Sequence, residues 1–386
     1  MIRFRGTRKE LGEFYGARLK EFHHDFFHQV EDPRLFKTQL RIYEKYYPEL
    51  VIERTAAAIA AGVAPEVLLY EDLANFVKTQ QRRAADSATT KKPLTDNNTS
   101  THASSNRTHG CTIFALNENG KTFVGRNYDW LPVARNFFEQ YDLDLSGSYR
   151  YFAFSDESVW EHRTGRNNRK MYAEDTVNEH GLYIGLTFAH INEWNYGLAP
   201  SHFLRLIAEK CKTTRQALNI FAKVPCAIPK NFLIADAEGN IAIVEHAAKS
   251  YEIVRPEVIQ LTTTEKLQAG STRGKTRELC VQKSTHLGKL AIHTNHCLSP
   301  KLLSQDQAVR SLHTDSFLRY SETDYLVREQ LPNFQFTDIW RILRNSHYVY
   351  NEETIWSLAL ELSEQRFNIY CDTAVGQKQQ KFSFHA

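Results

Sequence analysis

One cysteine, one arginine and one aspartate lie close enough along this chain to do chemistry together. Cys111 opens the segment Gly110-Cys111-Thr112-Ile113-Phe114-Ala115-Leu116, and Arg126 and Asp129 follow in Gly125-Arg126-Asn127-Tyr128-Asp129-Trp130. A thiol attacks well only as thiolate, so it needs a base or a positive field beside it. An N-terminal cysteine brings its own base, because a free α-amine titrates near about 7.7–8.0. Cleavage between Gly110 and Cys111 would create nucleophile and base in one step. Gly110 suits that step, since a residue without Cβ lets the thiol approach the preceding carbonyl. For Cys111 taken alone, the competing reading is a small buried hydrophobe at a strand start.

These residues must be brought together by a hairpin. Thr112 to Leu116 and Lys121 to Val124 are β-prone runs flanking Asn117-Glu118-Asn119-Gly120, which has turn chemistry. With those four residues as the loop, Leu116 faces Lys121, Thr112 faces Gly125 and Cys111 faces Arg126. Opposed residues project on one face, so Cys111 and Arg126 share it and Asp129 lies just beyond. A one-residue slip would spoil the arrangement.

Composition bounds the rest. The chain has 386 residues, 42% of them hydrophobic, and a formal net charge of +3 from 48 basic and 45 acidic side chains. That is enough for one large domain with an accessory segment, or for two domains. No concentrated basic face is evident, so nucleic acid is not an expected partner. The start, Met1 to Glu10, lacks a secretory apolar core and no run reaches membrane-spanning length, so a cytoplasmic protein is expected. Six scattered cysteines argue against a disulfide framework or a zinc site. His24 and His28, four residues apart, carry only a weak metal signal.

Along the chain, residues 1–78 read as a helical segment, with Leu11, Phe14, Tyr15, Leu19 and Phe22 at helical spacing. Residues 79–110 are Thr, Ser, Asn, Lys and Arg with almost nothing apolar, a flexible linker ending at Gly110-Cys111. Residues 111–386 form the catalytic unit. Strands are expected at Gly181 to Phe188, Phe232 to Ala235, Ile241 to Glu245, Lys289 to Thr294, Thr354 to Leu362 and Arg366 to Cys371. Helices are expected at Ser201 to Lys210, Thr214 to Lys223, Asp315 to Glu329 and Thr337 to Arg344. Strand runs with helices grouped between them give a layered α+β class.

Cys111-Thr112, a Gly-containing turn and then Gly125-Arg126-Asn127-Tyr128-Asp129 resemble the signature of N-terminal nucleophile amidohydrolases of the choloylglycine hydrolase and penicillin V acylase type. The internal position of Cys111 and the segment Gly6 to Gly16 look most like the acyl-coenzyme A:6-aminopenicillanate acyltransferase branch. Val177-Asn178-Glu179-His180-Gly181-Leu182 and Thr294-Asn295 extend the likeness.

The resemblance implies a four-layer αββα sandwich of two antiparallel sheets preceded by a helical pro-region that stays associated after cleavage. It also implies a self-processing enzyme that cleaves a linear amide or transfers an acyl group through a thioester on Cys111. Asn295 would supply an amide to the oxyanion hole; without the likeness it reads as a turn residue. Arg126 and Asp129 would orient amine and substrate, and Arg319, in Ser316 to Arg319, would be a structural or substrate contact. Thr187 stands at a substrate-contacting position where bile salt hydrolases carry Asn, which counts against bile salts. No cofactor is implied, although acyl-coenzyme A would serve as co-substrate in the transferase version. The substrate would be a small acylated amine or amide.

Two competing readings remain at this level. One is a papain-like Cys/His enzyme using His246, His293 or His296 as base. The other is a non-catalytic binding or scaffold protein, in which the aromatic residues, 12% of the chain, are ordinary packing.

Overall fold

The protein is described by a computed structural model covering residues 1–386 except 22–28, 90–109, 157, 161–166, 170–172, 268–279, 307–313, 346–347, 374–375 and 385–386. In chain order its strands begin with β1 (Ile2–Gly6), β2 (Thr112–Glu118), β3 (Lys121–Asp129), β4 (Glu139–Leu145), β5 (Tyr151–Ser155) and β6 (Ser158–Trp160). They continue with β7 (Asn167–Arg169), β8 (Asp175–Asn178), β9 (Tyr183–Phe188), β10 (Lys230–Ala235), β11 (Ile241–Ala247) and β12 (Ser250–Val254). The last are β13 (Glu257–Leu267), β14 (Cys280–His293), β15 (Thr354–Glu361), β16 (Arg366–Thr373) and β17 (Gly376–Phe382).

Two large sheets result. The first has the order β1-β4-β5-β8-β9-β10-β11-β12, and the second β13-β14-β2-β3-β15-β16-β17. Successive side chains of a strand point to opposite faces, so the continuous buried runs of strands such as β2 and β15 build a core on both faces of the sheet. Ile113, Ala115, Val124, Phe152, Val177, Leu233, Leu358 and Ile369 fill the space between the sheets. The outer face of the first sheet packs on helices of the first 89 residues and on α6 (Pro200–Lys210) and α7 (Thr214–Phe221), through Leu50, Leu68, Ile184, Phe203 and Phe232. The outer face of the second packs on the helices Thr314–Glu329 and Phe336–Asn345 through Phe114, Leu116, Ile339 and Leu343. The order helix, sheet, sheet, helix is the expected αββα sandwich.

Two features depart from expectation. Ile2–Gly6 is a strand, and β1 pairs parallel with β4 in an otherwise antiparallel sheet. It covers an edge that would present unpaired backbone groups. The helices of this segment are α1 (Arg8–Glu21), α2 (Pro33–Tyr46), α3 (Pro48–Ala61), α4 (Pro65–Leu73) and α5 (Asn75–Thr89). Helix α5 runs past the boundary placed at Lys78; the rest of the expected linker, 90–109, and the pair His24 and His28 lie outside the described residues. Along α1, Gly12 and Gly16 sit against the backbone carbonyls of Glu53 and Ala57, where any Cβ would collide. That lack of side chain lets α1 lie close on α3.

A buried ionic network joins this segment to helix α6 (Pro200–Lys210), which precedes α7 (Thr214–Phe221). Glu53 on α3 receives both guanidinium nitrogens of Arg205, at 2.9 and 2.7 Å, and lies 3.3 Å from Arg8. Glu209 receives Arg8 at 2.9 and 2.5 Å, the Tyr47 hydroxyl at 2.6 Å and the Tyr151 hydroxyl at 2.9 Å. Arg54 lies 3.9 Å from Glu53 and 3.1 Å from Asp72, so three cations face three anions and the buried network is neutral. Among the described residues, no helix is long and apolar enough to cross a membrane.

Candidate active site

The hairpin forms, with a tighter loop than expected. Asn119 and Gly120 take left-handed backbone angles, φ 51° and 76°, which makes a two-residue turn of the kind that matches strand twist. Glu118 therefore faces Lys121, Thr112 faces Asn127 and Ile113 faces Arg126. The register is shifted by two residues from the one expected, and Cys111 does not oppose Arg126. Because side chains alternate with a period of two, an even shift keeps every residue on its face. Cys111 and Arg126 both still point between the sheets.

Cys111 is buried, and the Arg126 guanidinium and the backbone N–H of Asp129 act on its thiol in favour of the thiolate. Burial pushes the thiol above its ordinary range, the Arg126 charge pulls it back, and the Asp129 carboxylate pushes it up again. The net direction is upward, so the uncut thiol depends on a base for its deprotonation. Arg126 is itself fully buried, where it is held by Asp175 of the first sheet at 3.2 Å and by the Leu186 carbonyl at 2.7 Å. Asp175 also accepts from the Tyr183 hydroxyl at 2.6 Å and the Trp356 indole at 3.0 Å. Three donors on one carboxylate fix the guanidinium's position.

From the other side of the second sheet, the helix Thr314–Glu329 sends Arg319 to the site. It donates to the Cys111 carbonyl oxygen and, at 2.9 Å, to the Asn295 side-chain oxygen. Arg319 thus ties the Cys111 carbonyl to the Asn295 side chain. Gly110 lies in the angle between Arg319 and Asn295, and a Cβ there would collide with both side chains. Asn295 donates one side-chain N–H to the Phe188 carbonyl at 3.2 Å, and its backbone N–H donates to Ser316 Oγ at 3.0 Å. An amide nitrogen has two hydrogens, so one bonded to Phe188 leaves a second for an incoming oxygen.

Asp129 accepts from Thr354 Oγ1 at 2.7 Å and from Asn351 at 3.4 Å. Burial pushes its carboxyl up to about 6, against the pull of Arg319 and the Thr354 hydrogen bond. Thr187 is buried with its hydroxyl 3.3 Å from His293 Nδ1. The ring of His293 also meets Glu245 at 3.1 Å and the Thr294 carbonyl at 2.8 Å. His296 Nδ1 bonds Ser316 Oγ at 2.9 Å, and its ring stacks on Phe317. Burial lowers His296 to about 3 and His246 to about 4. The hydrogen bonds of His293 and His296 thus run away from the Cys111 thiol, against a papain-like pair. Among the described residues, no group of His, Cys, Asp or Glu is arranged to hold a metal ion.

Sequence reasoning overlooked Asp175 and Glu245. The available signal was an acid on a strand whose neighbours are apolar, as in Ile241-Ala242-Ile243-Val244-Glu245, because an isolated buried charge is costly unless paired.

The family model of acyl-coenzyme A:6-aminopenicillanic acid acyl-transferase matches residues 115–374. That range holds Arg126, Asp129, Thr187, Asn295 and Arg319, and Cys111 lies just ahead of it. No curated protein matches the chain. Among solved structures, penicillin V acylase from Agrobacterium tumefaciens is 13% identical with a TM-score of 0.44, covering 71% of this chain and 86% of that one. An N-acylethanolamine-hydrolyzing acid amidase ortholog from Caenorhabditis elegans is 14% identical with a TM-score of 0.40, covering 66% and 93%. A mutant conjugated bile acid hydrolase from Clostridium perfringens is 13% identical with a TM-score of 0.40, covering 71% and 92%.

Proposed function

The chain belongs to the acyl-coenzyme A:6-aminopenicillanic acid acyl-transferase family, and on that premise we propose that it is a self-processing amidase or acyltransferase with Cys111 as nucleophile. One observation carries the reading: Arg319 donates to the Cys111 carbonyl and to the Asn295 side chain, which sets Asn295 beside Gly110 at a buried thiol in the field of the Arg126 charge.

In the first reaction the Cys111 sulfur attacks the Gly110 carbonyl carbon. The C–N bond breaks, the Cys111 nitrogen takes a proton, and the resulting thioester is hydrolysed to a Gly110 carboxylate and a free thiol. The new α-amine then serves as base for the thiol. In turnover, the thiolate attacks a substrate amide and the second N–H of Asn295 donates to the developing oxyanion, where one such donor is worth about 2.7–4 kcal/mol. The α-amine returns its proton to the leaving amine, and water or an amine acceptor resolves the acyl-thioester. In the transferase version an acyl-coenzyme A thioester would serve as acyl donor. Asp129 and Arg126 orient the amine and the thiol.

Intact mass and N-terminal sequencing of the purified protein test the processing step. Two chains are expected, the larger beginning at Cys111; a fully active chain that stays uncut overturns the proposal. A panel of N-acylated amines, penicillin V and acyl-coenzyme A donors then reads the chemistry, and a scaffold protein would turn over none.

The pH profile follows from the α-amine and Asp129. With the Asp129 carboxyl held at about 6, the ionised form that orients the amine is lost as pH falls through that value. The α-amine must be neutral to act as base, so kcat/KM is expected to decline about tenfold per pH unit below about 7.7–8 and more steeply below about 6, where Asp129 also protonates. Asp129→Asn removes only the steeper limb while lowering the plateau. A wild-type slope that does not steepen below about 6 would contradict this role.

A further inference from the structure

The loop after β14 carries Asn295, and its backbone donors go to side chains instead of a ladder. The Asn295 N–H meets Ser316 Oγ, and the Cys297 N–H meets Asp306 at 2.6 Å. The Leu298 N–H meets Glu245 Oε1, and the Ser299 N–H meets Glu245 Oε2 at 3.0 Å. Glu245 comes from β11 in the opposite sheet and is fully buried. Its carboxylate also receives His293 Nε2 at 3.1 Å, and His293 is the last residue of β14. One carboxylate therefore holds both ends of the stretch from His293 to Ser299. On the far side of the ring, His293 Nδ1 lies 2.8 Å from the Thr294 carbonyl and 3.3 Å from Thr187 Oγ1.

A buried pair of this kind contributes little net stability, because desolvation offsets much of the attraction. What it does supply is geometry. We propose that Glu245 and His293 form an inter-sheet clamp that positions Asn295, so that the amide N–H not used by Phe188 faces the carbonyl under attack. This rests on the acyl-transfer reading of the site. Glu245 and His293 are positioning residues that act through Asn295. Glu245 is held at about 2 by His293 and the loop N–H groups despite its burial, consistent with a permanently ionised acceptor. Thr187 then serves the clamp, filling the space on the other side of the His293 ring.

The test is a double-mutant cycle read on two reactions, self-cleavage of freshly made precursor and turnover of the fastest amide in the panel above. Glu245→Gln keeps the shape and removes the charge. It is expected to lower kcat by about 10- to 100-fold, as misplacement of a catalytic group does, with KM within about threefold of wild type. The same change in an Asn295→Ala background is expected to cost almost nothing further, since the clamp has no other target. If Glu245→Gln fails to fold, His293→Gln carries the same cycle. Penalties that multiply, or a raised KM with unchanged kcat, overturn the clamp. Activity surviving in Cys111→Ala overturns the acyl-transfer reading and the clamp with it. An inactive Cys111→Ala and a slow Asn295→Ala beside a wild-type Glu245→Gln overturn the clamp alone.

Discussion

Cys111→Ala is expected to yield one uncut chain of 44.7 kDa whose turnover falls by roughly a millionfold, the scale seen when a covalent nucleophile is removed. Both effects have one cause. The thiol is the attacking atom in self-cleavage and in turnover, and neither Arg126 nor Arg319 offers a substitute nucleophile. The site around it is expected to survive, because Cys111 is a small buried residue whose loss leaves the Arg126–Asp175 pair at 3.2 Å intact. The check is intact mass for processing and the amide panel for rate, with a thermal melt showing that the variant folds. A variant that is still cut at Gly110–Cys111 would show that another group performs the cleavage.

Glu53→Gln is expected to destabilise the protein by about 3–5 kcal/mol, because removing one member of a buried ion pair leaves its partners charged and unmatched. Arg205 loses its bidentate carboxylate, and Arg8 keeps Glu209 and the Ser148 hydroxyl. Burial would raise the Glu53 carboxyl, but Arg205 and then Arg54 and Arg8 bring it down to about 2. A carboxyl depressed on folding stabilises the native state above its unfolded value of 4.5, and that contribution disappears as pH falls towards 2. Urea midpoints of wild type should therefore drop on acidification between those limits, and the Glu53→Gln midpoint should start lower and drop less. We further propose that this network and the β1–β4 pairing keep residues 1–110 bound to residues 111–386 after cleavage. In Glu53→Gln the two pieces should separate on gel filtration in mild urea, conditions in which the cleaved wild type stays together. Equal stability of variant and wild type would remove the network from any such role.

Much of the scaffold is legible from local pattern. Strands at Phe232 to Ala235, Thr354 to Leu362 and Arg366 to Cys371, and helices at Ser201 to Lys210 and Asp315 to Glu329, lie within a residue or two of β10, β15, β16 and their helices. The hairpin loop is two residues shorter than its turn chemistry suggests, yet Cys111 and Arg126 share a face because the register differs by an even number. Strand β1 was not legible: five residues reading Ile-Arg-Phe-Arg-Gly carry an alternation too short to distinguish an edge strand from a tail.

By itself the sequence determined which residues carry reactive groups, which face of the hairpin they share, and that apolar faces exist for two sheets and their helices. These follow from periodicity and turn chemistry, which act over a few residues. Only the tertiary structure decided that Arg126 answers to Asp175, 49 positions away, that His293 answers to Glu245, 48 away, and that Arg319 grips the Cys111 carbonyl from 208 away. Those pairings depend on how two sheets and an outer helix stack, a geometry set by the whole core, and no local pattern of residues encodes it.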